Sequence, residues 1–134
     1  MSVSTESVSI PVVVTGFHHY TLLVRDIDRA ASFYEGVLGL VRKQRPGFSS
    51  RGIWYDVAGM ELHLIESAQV PNCHEGHPAL EVNDLHATVA ACVAAGARLQ
   101  QDIFLREHDG SYSAFVRDPD DNLLEFCFHG NPSN

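Results

Sequence analysis

The feature that most constrains the fold is a weak internal repeat, because both halves of the chain carry the same series of signals. His19 precedes Asp26 by seven residues, and His77 precedes Asp84 by the same spacing. In each half, β-prone residues lie before the aspartate and an apolar stripe with helical spacing follows it. The repeat therefore predicts two copies of one supersecondary unit, each with a strand that leads into a helix.

The rest of each half completes the unit. Asp84 is a suitable N-cap for the second helix, and Gly39 and Gly96 are suited to end the two helices in a left-handed conformation. Short β-prone runs follow each helix, which predicts a βαβββ module and an α+β fold. These runs cover residues 41–45, 52–57 and 60–66 in the first half and 98–104, 113–116 and 123–129 in the second.

The modules are expected at about 16–66 and 77–129, within a domain that spans 16–129. Pro71 and Gly76 mark residues 67–76 as the linker between them. Residues 1–15 are expected to be a tail, or an edge strand built on 10–14, and residues 130–134 a second tail.

Composition excludes several classes of protein. A chain of 134 residues with 45% hydrophobic and 19% charged residues is ordinary for one globular domain. The net charge of −8, with lysines and arginines scattered singly, argues against nucleic acid. No apolar run is long enough to span a bilayer, so we expect a cytoplasmic protein without a membrane partner. Cys73, Cys92 and Cys127 form no CxxC pair, which disfavours a disulfide framework or a structural zinc site.

Two glutamates occupy matching positions in the last strand of each half. Glu61 and Glu125 have apolar neighbours on both sides, so each carboxylate points away from the core face of its strand. If a pseudo-twofold axis relates the repeats, these glutamates converge with His19 and His77. Buried carboxylates need a partner, and one divalent cation would neutralise both. Two imidazoles and two carboxylates suit Zn²⁺, Ni²⁺, Co²⁺, Mn²⁺ or Fe²⁺.

Nearby histidines leave alternatives open. His18 competes with His19 for the ligand position, although a shift of one residue would turn the flanking aromatic residues to the wrong faces. His63 lies on the same face as Glu61 and is suited to line a pocket, shuttle a proton or substitute as a ligand. Cys73, His74 and His77 match no standard zinc spacing.

The sequence resembles the vicinal oxygen chelate superfamily, which includes glyoxalase I, fosfomycin-modifying thiol transferases, methylmalonyl-CoA epimerase and extradiol dioxygenases. The likeness covers about residues 16–129 and lies in segments 17–26, 33–40, 77–84, 115–120 and 123–125. It implies that two βαβββ modules pair into an open, cup-shaped, eight-stranded mixed sheet with flanking helices. It also implies a homodimer, with the modules paired either within one chain or across two, and places one divalent metal ion at His19, Glu61, His77 and Glu125.

The chemistry that the resemblance implies is proton transfer of the lyase or isomerase type on a small substrate with vicinal oxygens. The metal acts as a Lewis acid, and Glu125 or Glu61 is the base. Strand parity and the few aromatic residues of the third strand and late loop predict a substrate pocket bordered by Thr21, Trp54, His63 and Tyr112.

Several members of the superfamily fit less well. Leu23 and Ile65 replace an arginine and an asparagine typical of glutathione-dependent glyoxalase I. A fosfomycin-type transferase shares Thr21 and a loop like 107–112, but its basic phosphonate clamp is missing after Glu125 or lies elsewhere. An Fe²⁺ extradiol-type dioxygenase would use His19, His77 and Glu125 and leave Glu61 as a surplus ligand. A drug- or metabolite-sequestering protein of the bleomycin-resistance type is the non-enzymatic alternative.

Overall fold

The computed structural model of the chain describes residues 12–70 and 76–130, and it contains the βαβββ unit twice. The first unit consists of β1 (His19–Val24), α1 (Ile27–Tyr34), β2 (Val41–Lys43), β3 (Gly52–Val57) and β4 (Met60–Glu66). The second consists of β5 (Ala79–Glu81), α2 (Leu85–Ala94), β6 (Arg98–Leu105), β7 (Tyr112–Arg117) and β8 (Leu123–Phe128).

Each unit forms one open, mixed, four-stranded sheet. The orders are β1-β4-β3-β2 and β5-β8-β7-β6, so the two sheets have the same topology. The first strand of each sheet pairs in parallel with the last, and the remaining pairs are antiparallel. The predicted α+β class and mixed, open topology are confirmed. The eight strands divide into two sheets, with β1 and β5 each at an edge.

Both helices begin at the predicted aspartates. The side chain of Asp26 accepts hydrogen bonds from the amides of Asp28 and Arg29, and that of Asp84 accepts one from Ala87. The regular part of α1 ends at Tyr34, and turns carry the chain on to Gly39, where φ is +70°. Gly96, with φ +90°, has the same role after α2.

The core lies between the sheets and the helices and continues from one module into the other. Tyr34, Tyr55 and Phe126 are among its largest buried side chains. The β7–β8 turn joins the modules: the hydroxyl of Tyr34 donates to Asp118 Oδ2 at 2.7 Å, and Nδ2 of Asn122 donates to the carbonyl of Leu23 at 2.9 Å. These bonds tie α1 and β1 of the first module to the second.

The structure differs from the strand predictions at a few ends. β2 ends at Lys43 rather than at residue 45, and β5 begins at Ala79, so His77 precedes its strand. Pro78 explains the late start because it has no amide hydrogen to donate, although its carbonyl still accepts from Glu125 N at 3.0 Å. Residues 12–18 form no strand, and residues 10 and 11 lie outside the described part. In the described ranges no helix is long and apolar enough to cross a membrane.

Candidate metal centre

In the first module, the parallel pairing of β1 with β4 brings the predicted ligands side by side. His19 is the register partner of Glu61, which places the two side chains on one face of the sheet. The ring of His19 stacks on that of His63, with centroids 4.0 Å apart, and His63 stacks in turn on Trp54 at 4.3 Å. This register puts His19, rather than His18, beside Glu61.

The carboxylate of Glu61 is held by two side chains. It accepts hydrogen bonds from the ammonium of Lys43 and from His63 Nε2, which is 2.8 Å from Oε1. The bond from Lys43 is the largest cause of the lowering of the pKa of Glu61 to about 2, and the bond from His63 is the next largest. Loss of solvent contact and the neighbouring rings of His63 and His18 lower the pKa of His19. At neutral pH the module therefore presents a carboxylate and a neutral imidazole, the forms that bind a metal.

In the second module, Glu125 is buried and has three partners. His77 Nε2 lies 2.9 Å from Oε1, while Ser113 Oγ and Arg106 Nη1 donate to Oε2 at 2.8 and 2.9 Å. Burial alone would raise the pKa of Glu125, but the bonds from Ser113 and His77 and the charge of Arg106 outweigh burial and lower it. Glu125 is therefore an ionised, firmly positioned carboxylate.

The two modules contribute to one cleft. A cavity of 340 Å³ is lined by His19, Glu61 and His77, together with apolar side chains from both modules. Glu125 is one hydrogen bond away from this lining, through His77. Among residues 12–70 and 76–130, however, no three of the four predicted ligands bring donor atoms within 4.8 Å of one another. The donor chemistry fits a divalent cation, and each carboxylate also accepts a hydrogen bond from a basic side chain, Lys43 or Arg106.

The predicted pocket residues divide between two locations. Thr21 and Trp54 are both register partners of His63, so these three share the face of the first sheet that carries Glu61. Tyr112 lies next to Ser113, whose side chain points at Glu125, so by strand alternation Tyr112 points to the opposite face. There it packs against the core. The first three therefore share a face with Glu61 but are not among the residues that line the 340 Å³ cavity, and Tyr112 does not share their surroundings.

Sequence reasoning missed the cationic partners of both glutamates. Lys43 is the register partner of Trp54, so alternation along β2 and β3 could have placed it on the site face. Arg106 follows β6, whose pairing with β7 shifts register between Leu99 and Gln101 and again before Phe104. A register shift cannot be recognised from a β-prone run of sequence. Strand alternation therefore does not predict the face of the sheet on which a side chain beyond the shift lies.

A second group of ligand-type side chains lies farther along the same strand pair. Glu81 of β5 is the register partner of Cys127 of β8, and His129 follows β8. Their ligand atoms all lie within 4.8 Å of one another, the only group of three or more that the described residues form. Burial raises the pKa of Cys127 to about 11, and the bond to Glu81 adds to the shift. The sequence spacing predicted no metal role for Cys127, and neither Glu81 nor His129 was identified as a ligand.

The repeated βαβββ architecture and the two His–Glu pairs define a class of protein that builds a candidate divalent-metal site from two related modules. The family model described as the Glyoxalase/Bleomycin resistance protein/Dioxygenase superfamily matches residues 16–126. The chain belongs to this superfamily.

Individual relatives agree with this assignment. A lactoylglutathione lyase of Haemophilus influenzae is 29% identical over 119 residues, which cover 81% of this chain and 88% of the relative. A glyoxalase family protein of Bacillus anthracis superposes with a TM-score of 0.77 at 18% identity, covering 90% of this chain and all of that one. A mutant of the fosfomycin resistance protein FosX of Listeria monocytogenes, in complex with Mn(II) and a dihydroxypropylphosphonic acid, gives 0.75 at 17% identity, covering 88% and 95%. The two structures establish likeness of fold.

Proposed function

We propose that this protein is a metal-dependent enzyme that moves a proton on a small substrate with vicinal oxygens. The observation that carries the proposal is the cleft, which is lined by His19, Glu61 and His77 from both modules. Glu125 adjoins it through its bond to His77. These four residues would hold one divalent cation, which when bound supplies a Lewis acid for the substrate oxygens.

The chain's own carboxylates are suited to move the proton. Glu125 is held in one orientation by Ser113 and Arg106, which fixes Oε2 while Oε1 faces His77. A carboxylate that is ionised and positioned accepts a proton from carbon with little reorganisation. His63 is hydrogen-bonded to Glu61 and buried, so it is placed to relay a proton on the first module's side.

The charges around the site indicate what the substrate carries. Lys43 pairs with Glu61 and Arg106 pairs with Glu125, so two positive charges balance two negative charges. A bound divalent cation would raise the local charge to roughly +2, because both basic side chains remain nearby. We therefore propose an anionic substrate, such as an α-hydroxycarbonyl compound with a carboxylate.

The cleft also favours a second copy of the chain as a partner. β1 and β5 are edge strands, and the exposed apolar side chains of Phe17, Tyr20 and Met60 line the same cleft. Unpaired strand edges beside exposed apolar surface are suited to pair with another chain. A homodimer that covers this surface would keep water from the cation.

The decisive experiment compares the wild type with the variants Glu125→Gln and Glu61→Gln. Calorimetry with Mn²⁺ or Ni²⁺ is expected to show one ion per cleft. The metal-bound protein should then exchange the carbon-bound proton of α-hydroxycarbonyl acids for solvent deuterium, and NMR follows the loss of that proton signal. Glu125→Gln should lower this exchange by about 10² to 10⁴. Glu61→Gln should have the smaller effect, because an amide oxygen still provides a neutral ligand there.

Glu107→Gln is the matched control, because Glu107 is exposed in the loop between β6 and β7. It should leave both metal binding and exchange unchanged. Wild-type protein that binds no divalent ion while it binds such acids would favour sequestration over catalysis. If Glu125→Gln retains its metal and full exchange, Glu125 is not the base and the mechanism fails.

A further inference from the structure

We propose a second divalent-cation site at Glu81, Cys127 and His129, distinct from the cleft site and suited to zinc or cobalt. The three side chains come from two strands that pair in parallel, with Glu81 opposite Cys127 in register. A carboxylate, a thiol and an imidazole together form a ligand set that borderline metal ions prefer.

The geometry is close to what one tetrahedral ion requires. Glu81 Oε1 lies 2.6 Å from His129 Nδ1 and 3.4 Å from Cys127 Sγ. Ordinary zinc bond lengths place such ligand atoms roughly 3.3–3.6 Å apart. The sulfur and the carboxylate already have this spacing, the imidazole and the carboxylate must separate slightly, and all three ligand atoms lie within 4.8 Å of one another. Both of these side chains are more than half exposed, so a small adjustment meets little packing resistance, whereas Cys127 is buried. A water molecule would complete the coordination.

Glu81 is already oriented for this role. Its Oε2 accepts a hydrogen bond from the backbone amide of His129 at 3.1 Å, so Oε1 can bind an ion while Oε2 stays anchored. Glu61 and Glu125 each pair with a lysine or arginine, but in the described part of the chain the recorded ion pair of Glu81 is with His129 alone. A cation would replace protons on the thiol and imidazole and would neutralise this carboxylate.

The site is separate from the cleft and has a structural role. Cys127 lies two residues beyond Glu125 on β8, a spacing of about 7 Å along the strand. Paired catalytic metals are about 3.5–4 Å apart, so the two ions would not share a substrate oxygen. β5 is a short edge strand of three residues. An ion bound by Glu81, by Cys127 of β8 and by His129 just after β8 would hold this edge strand against its neighbour.

Cobalt tests the proposal because a thiolate ligand gives Co²⁺ an intense charge-transfer band that oxygen and nitrogen ligands do not. The full-length protein, titrated with Co²⁺ until the band no longer grows, should show a final intensity that corresponds to one thiolate-bound Co²⁺ per chain, and excess Zn²⁺ should abolish it. Cys127→Ser should remove the band. His129→Gln should weaken the affinity read from it by at least about tenfold.

Three variants serve as matched controls and should keep the band. Cys92→Ser removes a thiol buried in α2, Cys73→Ser removes the remaining thiol, and His108→Gln removes an exposed histidine of another loop. Circular dichroism checks that each variant is folded. Absence of the band in the wild type, or its persistence in folded Cys127→Ser, would overturn the second site. Neither result bears on the cleft, because its four proposed ligands contain no thiol.

Discussion

Replacing Tyr34 with phenylalanine tests the contact that joins the modules. The Tyr34 hydroxyl donates to Asp118 Oδ2 at 2.7 Å, and both groups are buried. The only other donor to Oδ2 in the described structure is Asn122 Nδ2, at 3.0 Å. The substitution therefore removes one of two donors from a buried oxygen while it keeps the ring in the core.

The expected cost follows from the charge of the acceptor. A hydrogen bond to a charged group contributes about 1.5–3 kcal/mol. The unfolding entropy of a chain of 134 residues is roughly 0.28 kcal/mol/K, so a loss of 2 kcal/mol lowers Tm by about 7 °C. Differential scanning calorimetry at neutral pH measures this shift.

Tyr55→Phe is the matched control. Tyr55 is as fully buried as Tyr34, but its hydroxyl donates to Glu35, whose side chain is 33% exposed and also pairs with Arg42. Water and Arg42 can replace the lost donor, so we expect a cost of only about 0.5–1.5 kcal/mol. Equal losses of unfolding free energy in the two variants would show that the bond from Tyr34 to Asp118 stabilises the fold no more than the bond from Tyr55 to Glu35.

The pH dependence separates this bond from simple packing. Burial raises the pKa of Asp118 above its ordinary value of 3.8, so ionisation of Asp118 costs stability as the pH rises through the folded-state pKa. The bond from Tyr34 opposes that rise because it favours the ionised carboxylate. Loss of the bond raises this pKa further, so the deficit of Tyr34→Phe should be complete above the folded-state pKa of Asp118 in the variant and shrink as the pH falls toward 3.8. A deficit that is constant over this range would refute the electrostatic account.

Two further predictions concern the cleft. Lys43→Met removes the largest cause of the low pKa of Glu61. In metal-free protein, an NMR titration should therefore show that this pKa rises from about 2 toward 4.5. An unchanged titration midpoint would contradict the role of Lys43. Sedimentation equilibrium should give twice the mass of one chain, and Phe17→Ser should shift the equilibrium toward monomer because Phe17 is 83% exposed beside the cleft. A monomeric wild type would exclude the proposed dimer.

Local signals in the sequence predicted much of the fold. Asp84 was identified as an N-cap from its position before an apolar helical stripe, and its side chain does accept a helix amide. The run 52–57 was predicted as a strand and is β3. Such features depend on a few adjacent residues, so one sequence contains enough information to find them. Strand alternation likewise placed Glu61 and His63 on one face, where they form a hydrogen bond.

Features that depend on contacts between residues far apart in the sequence could not be predicted from local patterns. The division of eight strands into two sheets depends on how β1 and β5 are placed relative to each other, and no local pattern encodes this. The pairing of Arg106 with Glu125 depends on the register shifts within β6. The group at Glu81 and Cys127 required the parallel register of β5 with β8, which joins residues 46 positions apart in sequence.

The two modules repeat one plan, yet their carboxylates occupy different environments, and this difference assigns their roles. Glu125 is buried and receives bonds from residues before β5, after β6 and within β7, so its orientation is fixed from three directions. Glu61 is less buried, and one of its two partners is a flexible lysine that is partly exposed. A carboxylate with mobile partners exchanges ligands readily, whereas a fixed one holds its geometry during proton transfer. Glu125 is therefore the better candidate for a base whose position must be accurate, and Glu61 for a ligand that tolerates replacement. This asymmetry is the physical reason to expect that Glu125→Gln is more damaging than Glu61→Gln, although the sequence presents the two glutamates as equivalents.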